Sequence, residues 1–380
     1  MNFDHSEERQ MLADMLRRYL KEQYAFETRN AIAASPTGFS REQWQQFAEL
    51  GVIGALFSEA DGGYGGEGFD ITLIFELLGH ALVVEPFLST LISGSAIAQA
   101  GTPSQRKLIA EMIAGHKIVA FAHEEPESRF ELSYVETVAQ MLDNGRWRLD
   151  GVKAVVRDAE AADYFLISAR SSGGVEQEQG ISLFLVPANS AGISLRGYQT
   201  IDGGRAAELN LNGVLLDDST LLGPAGKGYA TLEQAVGRGV LALCAESVGA
   251  MDEAKEATLE YLRIRQQFGV PIGSFQALQH RMADVLMEIE QARSAVINAA
   301  AALQQSGRVR EQALSAAKYT VGHIGILVSE ESIQLHGGIG MTWELPLAHL
   351  AKRLVTIDHQ LGDEDYHLER YVALGREVMS

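Results

Sequence analysis

The chain has 380 residues, a formal net charge of −19 at pH 7, 46% hydrophobic residues and 21% charged residues. This length predicts two or three domains with ordinary buried cores, and the acidic charge opposes binding to nucleic acid or to an anionic membrane surface. The single cysteine, Cys244, cannot form an internal disulfide, and no array of Cys and His predicts a metal site. With no run of 18 apolar residues and no signal-peptide segment, the sequence predicts a cytoplasmic protein without a membrane partner.

Three kinds of sequence pattern follow one another along the chain. Residues 1–118 carry apolar side chains at helical spacing, as in EERQMLADMLRRYLKEQY, and predict an N-terminal helical domain. Residues 119–225 hold short β-branched or alternating segments separated by Gly, Asp and Pro, which predict a middle β-domain. Residues 226–380 return to long helical segments of a length typical of a bundle.

The predicted fold class is therefore α+β, with an N-terminal α-helical domain, a middle antiparallel β-domain and a C-terminal four-helix bundle. The predicted strands are WRLDGVKAVV, DYFLISAR, ISLFLVP, ISLRGYQT and AELNLNGVLL. The length and the apolar faces of the C-terminal helices also predict burial against other subunits.

The stretch YLRIRQQFGVPIGSFQALQHRMADV, Tyr261–Val285, predicts a helix that ends at Gly269, a turn that contains Pro271, and a second helix. Arg265 and Phe268 are three residues apart at the end of the first helix and would share one face. A guanidinium beside an aromatic ring suits a diphosphate next to a flat heterocycle. An Arg paired with a surface acid and a Phe packed in a core are the alternative.

A second stretch, QLHGGIGMTWELPL, begins at Gln334. Gly337, Gly338 and Gly340 permit positive φ and a close approach of ligand to backbone, which suits the diphosphate or ribityl chain of a flavin. A helix C-terminal turn with no ligand is the alternative. His336 lies within this stretch, and we expect it to pack or to form hydrogen bonds rather than to catalyse.

With these two stretches and its order of helices, strands and helices, the chain resembles the acyl-CoA dehydrogenase family along nearly its whole length. The first stretch is similar to the family's R-x-x-F-G arm, which binds the FAD of a neighbouring subunit, and the second is similar to the family's Q-x-x-G-G-x-G segment. The resemblance implies FAD as cofactor, an acyl-CoA substrate, electron-transfer flavoprotein as electron acceptor, and a dimer of dimers. The implied FAD contacts are Arg265, Phe268, Gln276, Gln334, Gly337 and Gly338.

The family's reaction needs a carboxylate that takes a proton from Cα of the thioester while the flavin takes hydride from Cβ. In most of the family this base is a Glu followed by Gly near the C-terminus, and here Leu361 precedes Gly362. In the isovaleryl and long-chain branches the base lies on an earlier helix, at a position that ungapped counting places at Gly239. Asp363 and Glu364 follow and are candidates for a displaced base, with a solvated helix start as the alternative.

The segments that would hold the chain's own flavin also depart from the family. FAHEEPESRFELSYV, Phe121–Val135, lacks the Gly-Ser-Asp of the family's T-E-P-x-x-G-S-D turn. The triplet VVR, Val155–Arg157, replaces a Trp-x-Thr that packs on the flavin in the family. The residues that serve a partner's flavin are therefore present, whereas those for the chain's own flavin and for proton abstraction are not.

This asymmetry leads to a hypothesis about function. The chain would belong to an FAD-dependent acyl-CoA dehydrogenase that desaturates a CoA thioester, as the small or non-catalytic subunit of a hetero-oligomer with a paralogous subunit. It resembles the small-subunit branch, such as pimeloyl-CoA dehydrogenase small subunits and steroid side-chain acyl-CoA dehydrogenases. Two alternatives stay open: a self-sufficient homotetramer with a displaced base, and a non-enzymatic relative that binds acyl-CoA or flavin.

Overall fold

The computed structural model describes residues 6–376, and the contacts of the chain divide it into two compact units. The first unit comprises Met1–Ala31, Glu67–Val83 and Val240–Ser380, and the second comprises Ile32–Gly66 and Val84–Gly239. The predicted division into three domains, with boundaries after residues 118 and 225, stays a prediction.

Most of the described chain is helical. The α-helices are α1 (Glu7–Gln23), α2 (Phe26–Ala33), α3 (Arg41–Glu49), α4 (Gly68–His80), α5 (Phe87–Ala100), α6 (Pro103–Ile113), α7 (Tyr229–Ile264), α8 (Gln276–Ala302), α9 (Gly307–His336), α10 (Pro346–Asp358) and α11 (Glu364–Arg376). Helix α7 contributes residues to both units. The three long C-terminal segments expected from their apolar period form α7, α8 and α9, so this part of the prediction is confirmed.

A mixed sheet forms the centre of the second unit. Its strands are β1 (Val119–Ala122), β2 (Val138–Met141), β3 (Trp147–Arg157), β4 (Tyr164–Arg170), β5 (Ile181–Pro187), β6 (Ile193–Gln199), β7 (Arg205–Leu216) and β8 (Leu221–Leu222). They lie in the order β6-β7-β3-β2-β4-β5-β8, with β1 beside β4. The five predicted strands are β3 to β7, and their pairing is antiparallel, whereas β1 and β2 pair with β4 in parallel. Buried aromatic residues of β3, β4 and β5 pack in its core: Trp147, Phe165 and Phe184.

Close backbone contact joins α4 to α7 inside the first unit. A Cβ added at Gly79 would lie 2.0 Å from the carbonyl oxygen of Glu246, and one added at Gly249 would lie 1.9 Å from that of Glu76. No side chain fits at these separations, so both positions require glycine. The two helices are thereby fixed against each other along two turns.

Cys244 is fully buried in α7, and burial raises the pKa of its thiol to about 12. It therefore behaves as a small core residue, as the sequence predicts. Among residues 6–376, we find no helix that combines the length and the apolar character of a membrane span.

Candidate functional site

The stretch after α7 is a hairpin and not a helix end. Helix α7 stops at Ile264, and the short strands β9 (Gln266–Gln267) and β10 (Val270–Pro271) pair with each other. The turn residues Phe268 and Gly269 have φ of 54° and 79°. Two consecutive positive φ angles are the signature of a two-residue hairpin turn. The prediction of a helix that continues to Gly269, with Arg265 and Phe268 on one helical face, is therefore wrong.

The hairpin presents its aromatic and cationic side chains to the outside of the first unit. The Phe268 side chain is 93% exposed, and its ring contacts only the edge of Phe275, at a centroid distance of 6.2 Å. Arg265 is exposed, and within residues 6–376 its guanidinium forms no hydrogen bond or ion pair. Gln276 is also exposed, at the first residue of α8. A Phe side chain with this exposure contributes little to the core, and its positive φ costs free energy.

The Gly-rich turn lies against the same end of α7. His336, the last residue of α9, stacks on Tyr261 at a centroid distance of 4.4 Å, and its Nδ1 lies 2.9 Å from the carbonyl oxygen of Ser332. Because burial lowers the pKa of His336, we assign it packing and hydrogen bonding, as expected. The structure thus brings the two motifs found in the sequence to one end of the first unit.

The backbone of this turn is open to a ligand. Gly337 has φ of 65°, which favours glycine, and a Cβ built on Gly337 or Gly338 would meet no atom within 4 Å. Gln334 is exposed one turn earlier on α9. These residues could therefore approach a bound molecule with their main chain.

Leu361 occupies a tightly held turn between α10 and α11. Its φ is 55° and that of Gly362 is 105°. The fully buried Lys318 donates to the carbonyl oxygens of Asp358 at 2.8 Å and Gly362 at 2.5 Å. His367 donates from Nε2 to the carbonyl oxygen of Leu361 at 3.0 Å. Two buried side chains, through three hydrogen bonds, thus fix the turn around a residue that cannot accept a proton.

The acids that follow Leu361 begin a helix. Asp363 accepts a hydrogen bond on Oδ1 from the backbone amide of Tyr366 at 2.9 Å, which caps the N-terminus of α11. Glu364 is the first residue of α11, and its Oε2 lies 3.4 Å from Nδ1 of His323. Asp363 therefore caps α11, whereas Glu364 lies beside His323 of α9, and the role of either acid as a displaced base stays a prediction.

The earlier candidate position also lacks a carboxylate. Gly239 is buried within α7, and Gly237 and Val240 flank its site without an acidic group. Arg238 donates from Nη2 to the carbonyl oxygen of Leu56 at 3.1 Å within the second unit.

A buried polar network that sequence patterns did not reveal lies in the second unit. Lys153 on β3 is fully buried and donates to Glu125 at 2.6 Å, to the carbonyl oxygen of His123 at 3.1 Å and to Ser168 at 3.1 Å. Burial lowers the pKa of Lys153 to about 8. Burial acts to raise the pKa of Glu125. The Lys153 charge and the hydrogen bonds that Glu125 accepts outweigh burial and bring that pKa below its usual value.

Glu124 directly precedes Glu125 of this network, and Arg157 ends the triplet that replaces the family's Trp-x-Thr. Burial raises the pKa of Glu124 to about 7, against the opposing effect of Arg157. Arg157 pairs with Asp202 at 3.1 Å, and Val155 lies at a bulge of β3 with φ of 49°. Glu124 is therefore a carboxyl group with a raised pKa, and the Arg157 guanidinium near it is already paired.

One cluster of metal-ligand side chains is present among the described residues. Ligand atoms of Glu76, His80 and Asp252 lie within 4.8 Å of one another. The guanidinium of Arg293 pairs with both Glu76 and Asp252, and Lys255 also pairs with Asp252. These cations already neutralise the carboxylates, so we assign no metal to the cluster.

Acid should destabilise the fold through His367, because burial and the nearby Lys318 charge disfavour the protonated form of this side chain. Burial, with Lys318 as a second cause, lowers the pKa of His367 to about 3 from 6.5. Between these values the unfolded chain binds more protons, so stability is lost as pH falls below 6.5, at about 1.4 kcal/mol per pH unit. Urea unfolding at pH 7 and pH 5 should show a smaller acid loss in His367→Gln, by about 2 kcal/mol.

The exposed His116 is the matched control for this measurement. His116→Gln should retain the acid sensitivity of the unmodified chain. An equal loss between pH 7 and pH 5 in His367→Gln and in the unmodified chain would contradict a buried neutral His367.

Comparisons with known proteins bear on this geometry. Residues 6–116, 120–214 and 226–371 match the family profiles described as acyl-CoA dehydrogenase N-terminal domain, middle domain and C-terminal domain. A long-chain specific acyl-CoA dehydrogenase of Sus scrofa mitochondria is 30% identical over 81% of this chain and 73% of its own length. The chain belongs to the acyl-CoA dehydrogenase family. A short-chain specific acyl-CoA dehydrogenase of Megasphaera elsdenii is 29% identical over 84% of this chain and 85% of its own length.

Solved structures of the acyl-CoA dehydrogenase fold superpose on nearly the whole chain. A Tcur3481–Tcur3483 steroid ACAD variant is 29% identical, with a TM-score of 0.89, and the match covers 98% of this chain and 99% of that one. A chain of the ChsE4–ChsE5 complex from Mycobacterium tuberculosis is 25% identical, with a TM-score of 0.88, over 100% of this chain and 99% of that one. The predicted α+β fold of the acyl-CoA dehydrogenase family is confirmed.

Acyl-CoA dehydrogenases are flavin-dependent oxidoreductases with FAD as their cofactor. The two units of this chain differ in how well their side chains fit FAD. In the first unit, an unpaired guanidinium, an exposed ring and an open glycine turn suit a diphosphate and an aromatic heterocycle. In the second unit, Glu124 and the paired Arg157 offer neither a hydroxyl donor nor an aromatic surface. The fit to FAD is therefore carried by the first unit.

Proposed function

We propose that this chain is the non-catalytic subunit of a hetero-oligomeric acyl-CoA dehydrogenase, in which a paralogous subunit carries the catalytic base. Leu361 carries the proposal: it precedes Gly362, where the resemblance implies the family's base, and Lys318 and His367 hold its turn by hydrogen bonds. Gly239, the second position used in the family, is also without a carboxylate.

The chemistry of α,β-desaturation sets what the chain must obtain from elsewhere. The Cα proton of an acyl thioester has to pass to a carboxylate, and the Leu361 side chain has no atom that accepts it. FAD, when bound, supplies the hydride acceptor for Cβ. The Leu361 side chain can therefore pack against an acyl group and exclude water, but it cannot accept the Cα proton.

The first unit has the groups to serve a flavin held by another chain. The Arg265 guanidinium forms no ion pair within the described residues, and the Phe268 ring is 93% exposed on a hairpin that projects from α7. We infer that Arg265, Phe268 and Gln276 contact the adenine and diphosphate of a partner's FAD. Gln334, Gly337 and Gly338 would contribute from the adjoining turn.

Two of the similar structures each name two proteins, and this supports an assembly of two different subunits. One is described as a complex of ChsE4 with ChsE5, and the other names Tcur3481 together with Tcur3483 as a steroid ACAD. For this chain we propose an acyl-CoA substrate with a fatty or steroid side-chain acyl group and a dimer-of-dimers assembly. We also propose electron-transfer flavoprotein as the electron acceptor and a cytoplasmic location.

Visible absorbance of the purified chain, alone and after co-expression with a paralogous subunit, tests the proposal. We expect little flavin in the chain alone and bound flavin with acyl-CoA turnover in the co-expressed complex. Near-stoichiometric flavin and rapid turnover in the chain alone would establish a self-sufficient enzyme instead. Absence of flavin reduction by any acyl-CoA, even with the partner present, would identify a non-enzymatic relative.

Neutralising the two acids after Leu361 should leave turnover of the complex unchanged. Asp363→Asn preserves the helix cap, because Asn caps as well as Asp, and Glu364→Gln preserves side-chain length. Loss of a true general base lowers the rate by about 10²–10⁴, whereas we expect a change within about twofold. Steady-state turnover of the co-expressed complex is the measurement, and a drop of the larger size in either variant would identify a displaced base.

A further inference from the structure

A cavity of about 420 Å³ lies in the first unit. Helices α1, α2, α4 and α10 provide most of its walls. Its volume falls in the range of pockets that hold small molecules. None of the residues discussed as FAD contacts or base positions lines it.

The interior of the cavity is apolar and largely buried. Leu20, Leu77 and Leu350 are 7%, 5% and 0% exposed, and Tyr24 is 2% exposed. Phe26 adds a second aromatic ring. Such a lining favours a hydrocarbon chain or ring.

The mouth carries an excess of positive charge. Arg17 and Lys21 are one turn apart on α1, so both side chains lie on the same face of the helix. Lys21 has no ion-pair partner in the described part of the chain, and Arg17 meets only the exposed Asp14, at 3.1 Å. On the opposite side, Nδ1 of His80 lies 3.6 Å from Glu253.

Polar contacts fix the helices that form the walls of the cavity. Arg9 donates to Asp70 at 2.6 Å and to Glu67 at 3.0 Å, which fixes α1 to α4. The buried Arg29 donates to the carbonyl oxygen of Leu82 at 3.2 Å and lies 3.3 Å from Nδ1 of His349.

These contacts tie α2 to the end of α4 and to α10. The helices around the cavity are thereby connected to one another by polar contacts.

We propose that this cavity binds a small amphipathic carboxylate, with the carboxylate at Arg17 and Lys21 and the apolar part among the leucine and aromatic side chains. Charge complementarity selects the anion, and the buried lining selects a hydrocarbon of medium length. The site is independent of the flavin contacts, so it can be tested on the chain in the absence of a partner.

Isothermal titration calorimetry of the full chain with decanoate, below its micelle-forming concentration, tests the site. Decanol, which has the same chain without the charge, is the comparison ligand. We expect saturable binding of decanoate, weaker binding of decanol, and at least about tenfold weaker decanoate binding in the Arg17→Gln, Lys21→Gln double variant. Ala25→Trp, which places a large ring among the lining residues, should abolish binding.

Arg18→Gln is the matched control, because Arg18 lies on α1 but does not line the cavity. It should bind decanoate like the unmodified chain. No saturable binding by the unmodified chain, equal affinity for decanol and decanoate, or unchanged binding in the double variant and in Ala25→Trp would each overturn the proposal.

Discussion

Arg265→Gln combined with Phe268→Asn should release most of the flavin from the assembled complex while leaving the chain folded. Both side chains are exposed, so neither contributes to the core of the chain. Asn is favoured in a two-residue hairpin turn with positive φ, so the second change removes the ring and retains the hairpin. A charge-assisted hydrogen bond contributes about 1.5–3 kcal/mol, which corresponds to a loss of flavin affinity of about tenfold to a hundredfold.

Flavin content after gel filtration and the flavin dissociation constant of the complex are the measurements for this variant. Arg263→Gln is the matched control, since Arg263 is an exposed arginine in the last turn of α7. Thermal unfolding of the isolated chain should be unchanged in all variants. Full retention of flavin by the Arg265, Phe268 variant would contradict the assignment of the hairpin to a partner's cofactor.

Arg353→Met should lower the free energy of unfolding by about 3–5 kcal/mol, because it leaves a buried carboxylate without its partner. The Arg353 guanidinium donates from Nε and Nη2 to the two carboxylate oxygens of Glu246, at 2.6 Å and 2.8 Å. Both residues are buried in the first unit. Arg353 also donates to Gln360, directly before Leu361, so the same change loosens the turn that carries Leu361.

Urea unfolding at pH 7 measures this change. The double variant Arg353→Met, Glu246→Leu should recover much of the lost stability, because replacing both members of a buried pair by apolar groups is often neutral. Arg196→Met, which breaks a pair between an exposed arginine and Glu208, should change stability far less, because solvent screens an exposed pair. Equal effects of Arg353→Met and Arg196→Met would contradict a strongly coupled buried pair.

Regular periodicity explains which parts of the fold could be predicted from the sequence. Helices α7, α8 and α9 and strands β3 to β7 are long enough for their apolar spacing to show which face is buried. The end of α7 was mispredicted because the hairpin after Ile264 has two-residue strands, too short for any alternation. Its turn also has Phe at the first position, where sequence reasoning expects Asn, Asp or Gly.

The buried lysines Lys318 and Lys153 could not be predicted from the sequence, for a different reason. A lysine in a helix or strand pattern is normally solvent-exposed, yet Lys318 and Lys153 are fully buried. The partners of Lys318 lie 40 and 44 residues away in the chain and are carbonyl groups, which every residue possesses. No residue type in the sequence therefore marks them, and only the folded geometry shows which turns they hold.

The exposed Phe268 ring has a consequence for how the cell must handle this protein. A newly made chain without a partner displays this ring together with other exposed apolar side chains of the first unit, namely Ile264, Met341 and Trp343. Chaperones and proteases act on such surfaces, so an orphan copy would be short-lived. In the proposed hetero-oligomer, synthesis in step with the partner subunit would then set the abundance of the whole assembly.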